Sequence, residues 1–205
     1  MKPQEIKKIM EEVNSDGLSL DELLVNIGKR LEPKFEINAD NSEYYNQLKY
    51  YFTNDSRFNG DLNKGLLLVG NNGSGKTLAL TIFQIITLIK DKGNFFMMYD
   101  TDEIIDEFTK YGRPSIEQFN NYGDIAIDEL GQDSGLHNFF GTKEDPTELL
   151  LSRRYIVFKS NGFKTHCISN LDANALQERF SPKIYDRICE MFNLMPFVGK
   201  SWRRK

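Results

Sequence analysis

The segment Gly70-Asn-Asn-Gly-Ser-Gly-Lys76-Thr77 contains the residue types with which proteins bind a triphosphate. It meets the pattern of a glycine, four residues, a second glycine, lysine, and serine or threonine. Glycines let backbone N–H groups turn inward around phosphates, the lysine supplies a positive charge, and the threonine hydroxyl binds magnesium. We predict ATP and Mg²⁺ as cofactors. The predicted ATP-binding residues here are Gly70, Asn71, Asn72, Gly73, Ser74, Gly75, Lys76, Thr77 and Leu78.

The motif stands between an apolar run, Gly65–Val69, and a helical pattern. This is the context that a phosphate-binding loop requires, because the helix then directs its positive end at the anion. The alternative is a glycine-rich turn that binds nothing, and the strand–loop–helix context argues against it.

Two adjacent carboxylates end a second apolar run, Asp124-Ile-Ala-Ile-Asp128-Glu129. We predict that Asp128 holds Mg²⁺ together with Thr77, directly or through water, and that Glu129 polarises the attacking water. The alternative is a solvated turn at a strand end.

Asn170 follows a further apolar run, Thr165–Ser169. An asparagine after a strand is usually a turn residue. Here it also follows a phosphate-binding loop and an acidic pair, so we predict that its amide reaches the γ-phosphate or the lytic water.

Apolar runs alternate with helical patterns through most of the chain. The predicted strands are Gly65–Val69, Phe95–Tyr99, Asp124–Asp128, Thr165–Ser169 and Met195–Val198; the predicted helices between them are Thr77–Lys90, Asp102–Tyr111, Leu149–Phe158 and Lys183–Phe192. Strands that are apolar on both faces and separated by helices indicate a mostly parallel sheet covered by helices. The fold class is therefore α/β.

The N-terminal part has helical patterns and no strand pattern. Helices are predicted at Pro3–Val13 and Leu20–Leu31, the second with Ser19 as its cap and Glu22 at the capping-box position. Another is predicted at Tyr44–Phe52. We therefore divide the chain into a helical N-terminal extension, residues 1–43, and a P-loop ATPase domain, residues 44–205.

Composition limits the classes of function. A chain of 205 residues, 40% apolar and 27% charged, has room for one α/β domain and a short appendage. The net charge of −4 gives no overall basic surface for coating a nucleic acid. The longest apolar run, Leu78–Ile89, is shorter than the roughly 20 residues that span a bilayer. Residues 1–10 also lack the apolar stretch of a signal peptide, so we expect a cytoplasmic protein without membrane contact.

Six motifs, taken in order, resemble the AAA+ ATPases of the DnaC and IstB-like group, which includes bacterial and phage helicase loaders and transposition helper ATPases. The motifs are Gly70–Thr77, Ile127–Gly131, Arg153–Tyr155, Ser169–Leu171, Tyr185–Arg187 and Gly199–Arg203. The resemblance extends from Tyr44 to the C-terminus and implies an AAA+-type three-layer sandwich.

The resemblance also implies roles and partners. Asn170 would be sensor 1, Arg187 the arginine finger that enters a neighbouring subunit's site, and Arg203 the sensor 2 residue. A guanidinium supplied by a neighbour stabilises charge on the transferred phosphoryl, so hydrolysis would depend on a homo-oligomer. The implied partners are a replicative helicase or other DNA-machinery protein and single-stranded DNA. The alternative for both arginines is a surface ion pair.

The chain also departs from this family. The long partner-binding domain of the loaders is reduced to about forty residues, and the lid to Pro182–Lys205. The leading hypothesis is a helicase-loader-like ATPase. The alternatives are an IstB-like transposition helper, a non-hydrolysing ATP switch and a small-molecule kinase.

Three other features have structural interpretations. His137 and His166 lack further ligands at metal spacing and are expected to be structural. The segment Gly131–Asp145, which contains Phe139-Phe140-Gly141, is interpreted as a surface excursion that could meet single-stranded DNA or a partner.

Overall fold

The computed structural model describes residues 3–13, 17–90, 95–120 and 123–197. The helices are α1 (Pro3–Glu12), α2 (Leu20–Leu31), α3 (Ser42–Phe52), α4 (Lys76–Lys90), α5 (Thr101–Tyr111), α6 (Ile116–Phe119), α7 (Pro146–Asn161), α8 (Ala173–Arg179) and α9 (Pro182–Met191). The strands are β1 (Gly65–Val69), β2 (Phe96–Asp100), β3 (Asp124–Asp128), β4 (His137–Phe139), β5 (Thr142–Glu144), β6 (Thr165–Ser169) and β7 (Phe192–Pro196). A 3₁₀ turn, Arg113–Ser115, precedes α6.

A parallel five-stranded sheet in the order β2-β3-β6-β1-β7 forms the centre of the molecule. Its register aligns Val69 with Ser169 and Asp100 with Asp128, so the carboxyl ends of the strands lie along one edge. The sequence-predicted parallel sheet is confirmed. The strand order places β6 between β1 and β3.

Helices cover both faces of this sheet. Successive side chains of a strand point to opposite faces, and β1 shows the consequence: Leu66 and Leu68 join one buried apolar cluster, while Leu67 and Val69 join the other. The first cluster includes residues of α2, α3 and α4, and the second includes residues of α5, α7 and α9. The predicted α/β class and three-layer sandwich are confirmed.

The N-terminal helices pack into the first of these clusters. Ser19 and Glu22 form the predicted capping box at the start of α2. Leu23, Leu24 and Ile27 of α2 are fully buried, and α2 packs on α4. The boundary between residues 43 and 44 stays a prediction, since both segments contribute to one hydrophobic cluster.

The C-terminal part differs in detail from the predicted elements. The final strand begins at Phe192, earlier than the predicted Met195, because α9 ends at Met191 and the chain pairs at once with β1. Another helix, α8, follows β6. β2 is an edge strand on which Met97 is 41% exposed, so it is not the fully buried strand expected from Phe95–Tyr99.

Within the described residues, no helix combines the length and apolar character needed to cross a membrane.

Candidate functional site

The loop between β1 and α4 passes too close to another backbone segment to carry a side chain at its first residue. Gly70 has φ +153°, and a Cβ at this position would lie 2.3 Å from the backbone oxygen of Phe197. Gly73 and Gly75 also have positive φ, +80° and +95°. These backbone conformations favour glycine, which explains the glycines of the motif physically.

The amine of Lys76 is the centre of the polar contacts in this loop. Its Nζ donates to the backbone oxygens of Gly70 (2.7 Å) and Asn71 (3.0 Å) and to the side-chain oxygen of Asn170 (2.8 Å). It also lies 3.4 Å from the hydroxyl of Ser74. The lysine of the loop and the predicted sensor residue are therefore in direct contact.

The predicted metal-binding residues also meet. The Thr77 hydroxyl donates to Oδ1 of Asp128 at 3.4 Å, and the backbone N–H of Glu129 donates to the same oxygen at 2.9 Å. The backbone oxygen of Asp128 accepts from the Thr101 hydroxyl at 2.7 Å. Asp128 is therefore fixed at the end of β3, next to the first turn of α4.

Two hydrogen bonds join the segment after the acidic pair to β6. Leu130 N–H donates to the Ile168 oxygen (2.8 Å), and the Ser169 hydroxyl donates to the Leu130 oxygen (2.7 Å). Glu129 has a left-handed backbone, φ +59°, which is uncommon for a non-glycine residue and typical of functional sites. The residues next to Glu129 and Asn170 in the chain are thus hydrogen-bonded to each other.

Burial changes the acid–base properties of two charged groups of the site, Lys76 and Asp128. It lowers the pKa of Lys76, and the Asp128 carboxylate partly offsets this effect. Burial raises the pKa of Asp128, against the lowering effect of hydrogen bonds from Glu129 N–H and the Thr77 hydroxyl. Perturbed groups in a cleft are a physical indicator of a functional site.

Lys76, Asp128 and Asn170 line one cleft of about 240 Å³. The sequence-predicted residues that line it are Asn72, Gly73, Ser74, Gly75, Lys76, Thr77, Leu78, Asp128, Glu129 and Asn170. Gly70 and Asn71 adjoin it through their contacts with Lys76. Leu31, Glu32 and Ile168 also line the cleft, and the sequence interpretation missed them. Leu31 and Glu32 end the N-terminal helix α2, and no local motif marks them.

The oxygen donors at the cleft fit Mg²⁺. Thr77 and Asp128 present a hydroxyl and a carboxylate at contact distance. Across the described residues, no group of three or more His, Cys, Asp or Glu side chains could hold a metal. Mg²⁺ commonly takes one or two protein oxygens and completes its shell with phosphate and water.

The structure places Arg187 away from the cleft of its own subunit. Arg187 donates to the Ser152 hydroxyl at 3.0 Å, and its guanidinium lies 4.7 Å from the centre of the Tyr155 ring, so both contacts are with α7. Arg203 lies outside the described residues. The roles of both remain predictions.

The two histidines behave as structural residues. His166 is buried, and its Nδ1 accepts from the backbone N–H of Leu66 at 3.2 Å. Burial lowers its pKa to about 3. His137 lies 3.5 Å from a carboxylate oxygen of Asp133.

The sequence matches no protein-family model, and no curated protein is a detectable relative. Solved structures do match. An AMPPCP-bound DnaA from Aquifex aeolicus superposes with a TM-score of 0.61 at 16% identity, over 88% of this chain and 51% of that one. This chain therefore spans about half of that DnaA chain.

Two further structures match over nearly their whole length. A candidate primosome component from Streptococcus pyogenes serotype M3 gives a TM-score of 0.60 at 16% identity, over 98% of this chain and 99% of that one. A DnaC helicase loader gives 0.56 at 21% identity, over 81% and 94%. The resemblance to the AAA+ ATPases of the DnaC group is thus confirmed at the level of the fold.

Proposed function

We propose that this chain is a Mg²⁺-dependent AAA+ ATPase that acts as a homo-oligomer on DNA together with a replicative helicase or a related DNA-machinery protein. One observation carries the proposal: Lys76 contacts Asn170, and Thr77 contacts Asp128, at a single cleft. Groups from the ends of three adjacent strands, β1, β6 and β3, thereby line one cleft, to which we assign the phosphates.

The structural matches support the replication context. The matching structures include DnaA, DnaC and DnaI, and one DnaA is bound to both AMPPCP and single-stranded DNA. We propose by analogy that this chain binds a nucleotide and single-stranded DNA.

The mechanism assigns one task to each side chain. Backbone N–H groups of the loop and the Lys76 amine bind the phosphates, and Thr77 and Asp128 would hold Mg²⁺. That ion, when bound, neutralises charge developing on the phosphoryl oxygens. Glu129 accepts a proton from the attacking water, and Asn170 orients that water or the terminal phosphate.

Two arginines complete the proposed site. Arg187, on the α9 surface beside α7, would reach the cleft of a neighbouring subunit and stabilise the transferred phosphoryl group. Arg203 would act within its own subunit. Phe197 N–H donates to the Val69 oxygen at 2.6 Å, beside the loop. Arg203 follows Phe197 by six residues, which span at most about 22 Å. This length of chain permits the proposed role of Arg203 at the cleft of its own subunit.

The direct test compares wild type with Glu129→Gln. Turnover is measured with and without single-stranded DNA while particle mass is recorded. We expect turnover to fall by about 10²- to 10⁴-fold, because the general base is lost, while ATP affinity changes little because the cradle is intact. Slow wild-type turnover should rise with DNA or assembly. A persistent monomer without a DNA response would overturn the loader proposal.

The alternatives have separate outcomes. Nucleotide binding without turnover under every partner condition would support the non-hydrolysing switch. Recovery of a transposase instead of a hexameric helicase would support the IstB-like helper. Phosphate transfer to a small acceptor rather than to water would support a kinase.

A further inference from the structure

The excursion after the acidic pair forms a β-hairpin with an unusual turn. β4 and β5 pair antiparallel, with Phe139 opposite Thr142, so the turn consists of Phe140 and Gly141. Both residues have positive φ, +46° and +87°. Positive φ at both central residues is the signature of a type I′ turn, which favours Asn-Gly.

Phe140 is a poor choice for this position on two counts. A residue with a bulky side chain in the left-handed region costs about 1–2 kcal/mol. The ring is also 93% exposed, so it gains no burial in return. The ring has an aromatic contact in return, edge to face with Phe139 at 4.8 Å between centroids. Where a residue violates local preference with so little compensation in the fold, a functional use is the natural hypothesis.

The strands of the hairpin that carries Phe140 are fixed to the rest of the fold. Phe139 packs near Phe108 and covers Gly112, where a Cβ would lie 2.5 Å from the ring. Arg113 of the preceding 3₁₀ turn donates to Glu144 at 2.7 Å. The Phe140 ring meets the Phe139 ring edge to face, with the centroids 4.8 Å apart. A ring restrained in this way loses less conformational entropy when it binds a ligand.

The guanidinium of Arg179 bridges the two ends of the segment Gly131–Asp145. Arg179, at the end of α8, donates to both carboxylate oxygens of Asp133 (2.9 and 2.8 Å) and to Asp145 (2.6 Å). Gly131 packs against Leu171 and Arg179. The hairpin is thus anchored to the segment that follows Asn170 and is continuous in sequence with Glu129.

The surroundings of the tip favour a base over a charged ligand. Tyr111, which precedes Gly112 in the chain, is also 62% exposed. The nearby carboxylates of Glu144 and Glu107 are paired with Arg113 and Lys110. Lys143 has no carboxylate within ion-pair distance among the residues that the structure describes. Exposed aromatic rings beside a cation are the elements with which proteins stack the bases of single strands.

We propose that Phe140 at the tip of the β4–β5 hairpin is a stacking site for a base of single-stranded nucleic acid. The link from this site to hydrolysis rests on the proposed function. Binding of a base at the tip would be transmitted to Glu129 and Asn170 through Gly131 and through the contacts of Arg179. Because the local carboxylates are paired and Lys143 is a single cation, the tip contributes little to the salt dependence of binding, a log–log slope of about −0.7 for one phosphate contact.

The test measures binding of the full chain to a fluorescein-labelled oligothymidylate of about 20 nucleotides by anisotropy. Phe140→Asn removes the ring and places a preferred residue in the turn, so its thermal midpoint should equal or exceed that of wild type. Its affinity should fall about 5- to 150-fold, the range of one stacked base. Phe140→Trp should retain the affinity of wild type within a few-fold. Ile156→Gln, which removes an exposed apolar side chain from α7, is the matched control and should bind like wild type.

Three results would overturn the proposal: no binding by wild type, equal binding by wild type and Phe140→Asn, or equal losses in Phe140→Asn and Ile156→Gln. No binding by wild type would favour a different role for the exposed ring, namely insertion into an apolar pocket of a protein partner. The test is separate from ATPase activity. If Phe140→Asn loses oligonucleotide binding while no variant hydrolyses ATP, the stacking site stands and the proposed ATPase fails. If wild type hydrolyses ATP without binding the oligonucleotide, the reverse holds.

Discussion

Each end of the central sheet has a buried cation, and the two serve different purposes. At the carboxyl end, Lys76 is 5% exposed and contacts backbone oxygens and Asn170 at the wall of an open cleft. At the amino end, Arg154 is fully buried and donates to Thr165 and to the backbone oxygens of Gly123 and Lys164 at 2.8–2.9 Å.

Burial lowers the pKa of both cations, that of Arg154 to about 10. A perturbed pKa therefore does not identify the functional end by itself. The distinguishing feature is the surroundings: Arg154 joins the beginnings of β3 and β6 with fixed partners, whereas Lys76 faces a space that a ligand can enter. We infer that the amino end stabilises the fold and that the carboxyl end binds the ligand.

The largest expected effect is on stability at the amino end. Arg154→Ala leaves two backbone oxygens without this donor and removes the cation beside Asp124, so we expect the free energy of unfolding to fall by about 3–5 kcal/mol. Arg153→Ala is the matched control, because its pair with Glu117 is exposed at the surface; it should change stability by about 0.5 kcal/mol or less. Urea unfolding measures both. Similar losses in the two variants would contradict the inference about the amino end.

Removal of the buried cation at the carboxyl end of the sheet should affect ligand binding more than stability. Lys76→Met should weaken ATP binding by about 10- to 150-fold, equivalent to about 1.5–3 kcal/mol for hydrogen bonds to a charged group. Its stability should change by only about 1 kcal/mol or less, since Asn71 is exposed and the oxygens that lose the amine adjoin the cleft. Titration with a fluorescent ATP analogue measures affinity, and urea unfolding measures stability. A loss of stability as large as that of Arg154→Ala would remove the difference between the ends.

A pH-dependent effect, about 1.4 kcal/mol at pH 5.5, is expected from His166, near the amino end. Its pKa is about 3 in the fold and about 6.5 when unfolded. Between these values the unfolded chain binds more protons, so stability is lost as pH falls below about 6.5, by at most about 1.4 kcal/mol per pH unit. Unfolding of wild type and His166→Gln should diverge over this range, with the variant less sensitive to acid. Identical pH dependence in both proteins would exclude His166 as a source of acid sensitivity.

Local sequence patterns were sufficient for the backbone that forms the cleft. The bounds of β1, β3 and β6 agree with the predicted runs, and the Ser19–Glu22 capping box starts α2 as expected. The hairpin β4–β5 was not predicted, because its strands have three residues each and Phe140-Gly141 lacks the usual asparagine. Leu31 and Glu32 were also missed, since a helix end shows no sign of the distant loop that it faces.

Arg153 and Arg154 show the limit most directly. They are adjacent and of one type, yet one lies at the surface in a pair with Glu117 while the other is fully buried. Nothing in the local pattern distinguishes them, because the difference depends on which face of α7 meets the sheet.

The sequence by itself determined the glycine-rich loop, the acidic strand end and the alternation of strands and helices. Each depends on residues close together in the chain, whose backbone preferences and charges act locally. Only the tertiary structure decided that β6 lies between β1 and β3, which places Asn170 against Lys76. Strand order arises from packing between segments far apart in sequence, and several orders would satisfy the same local pattern.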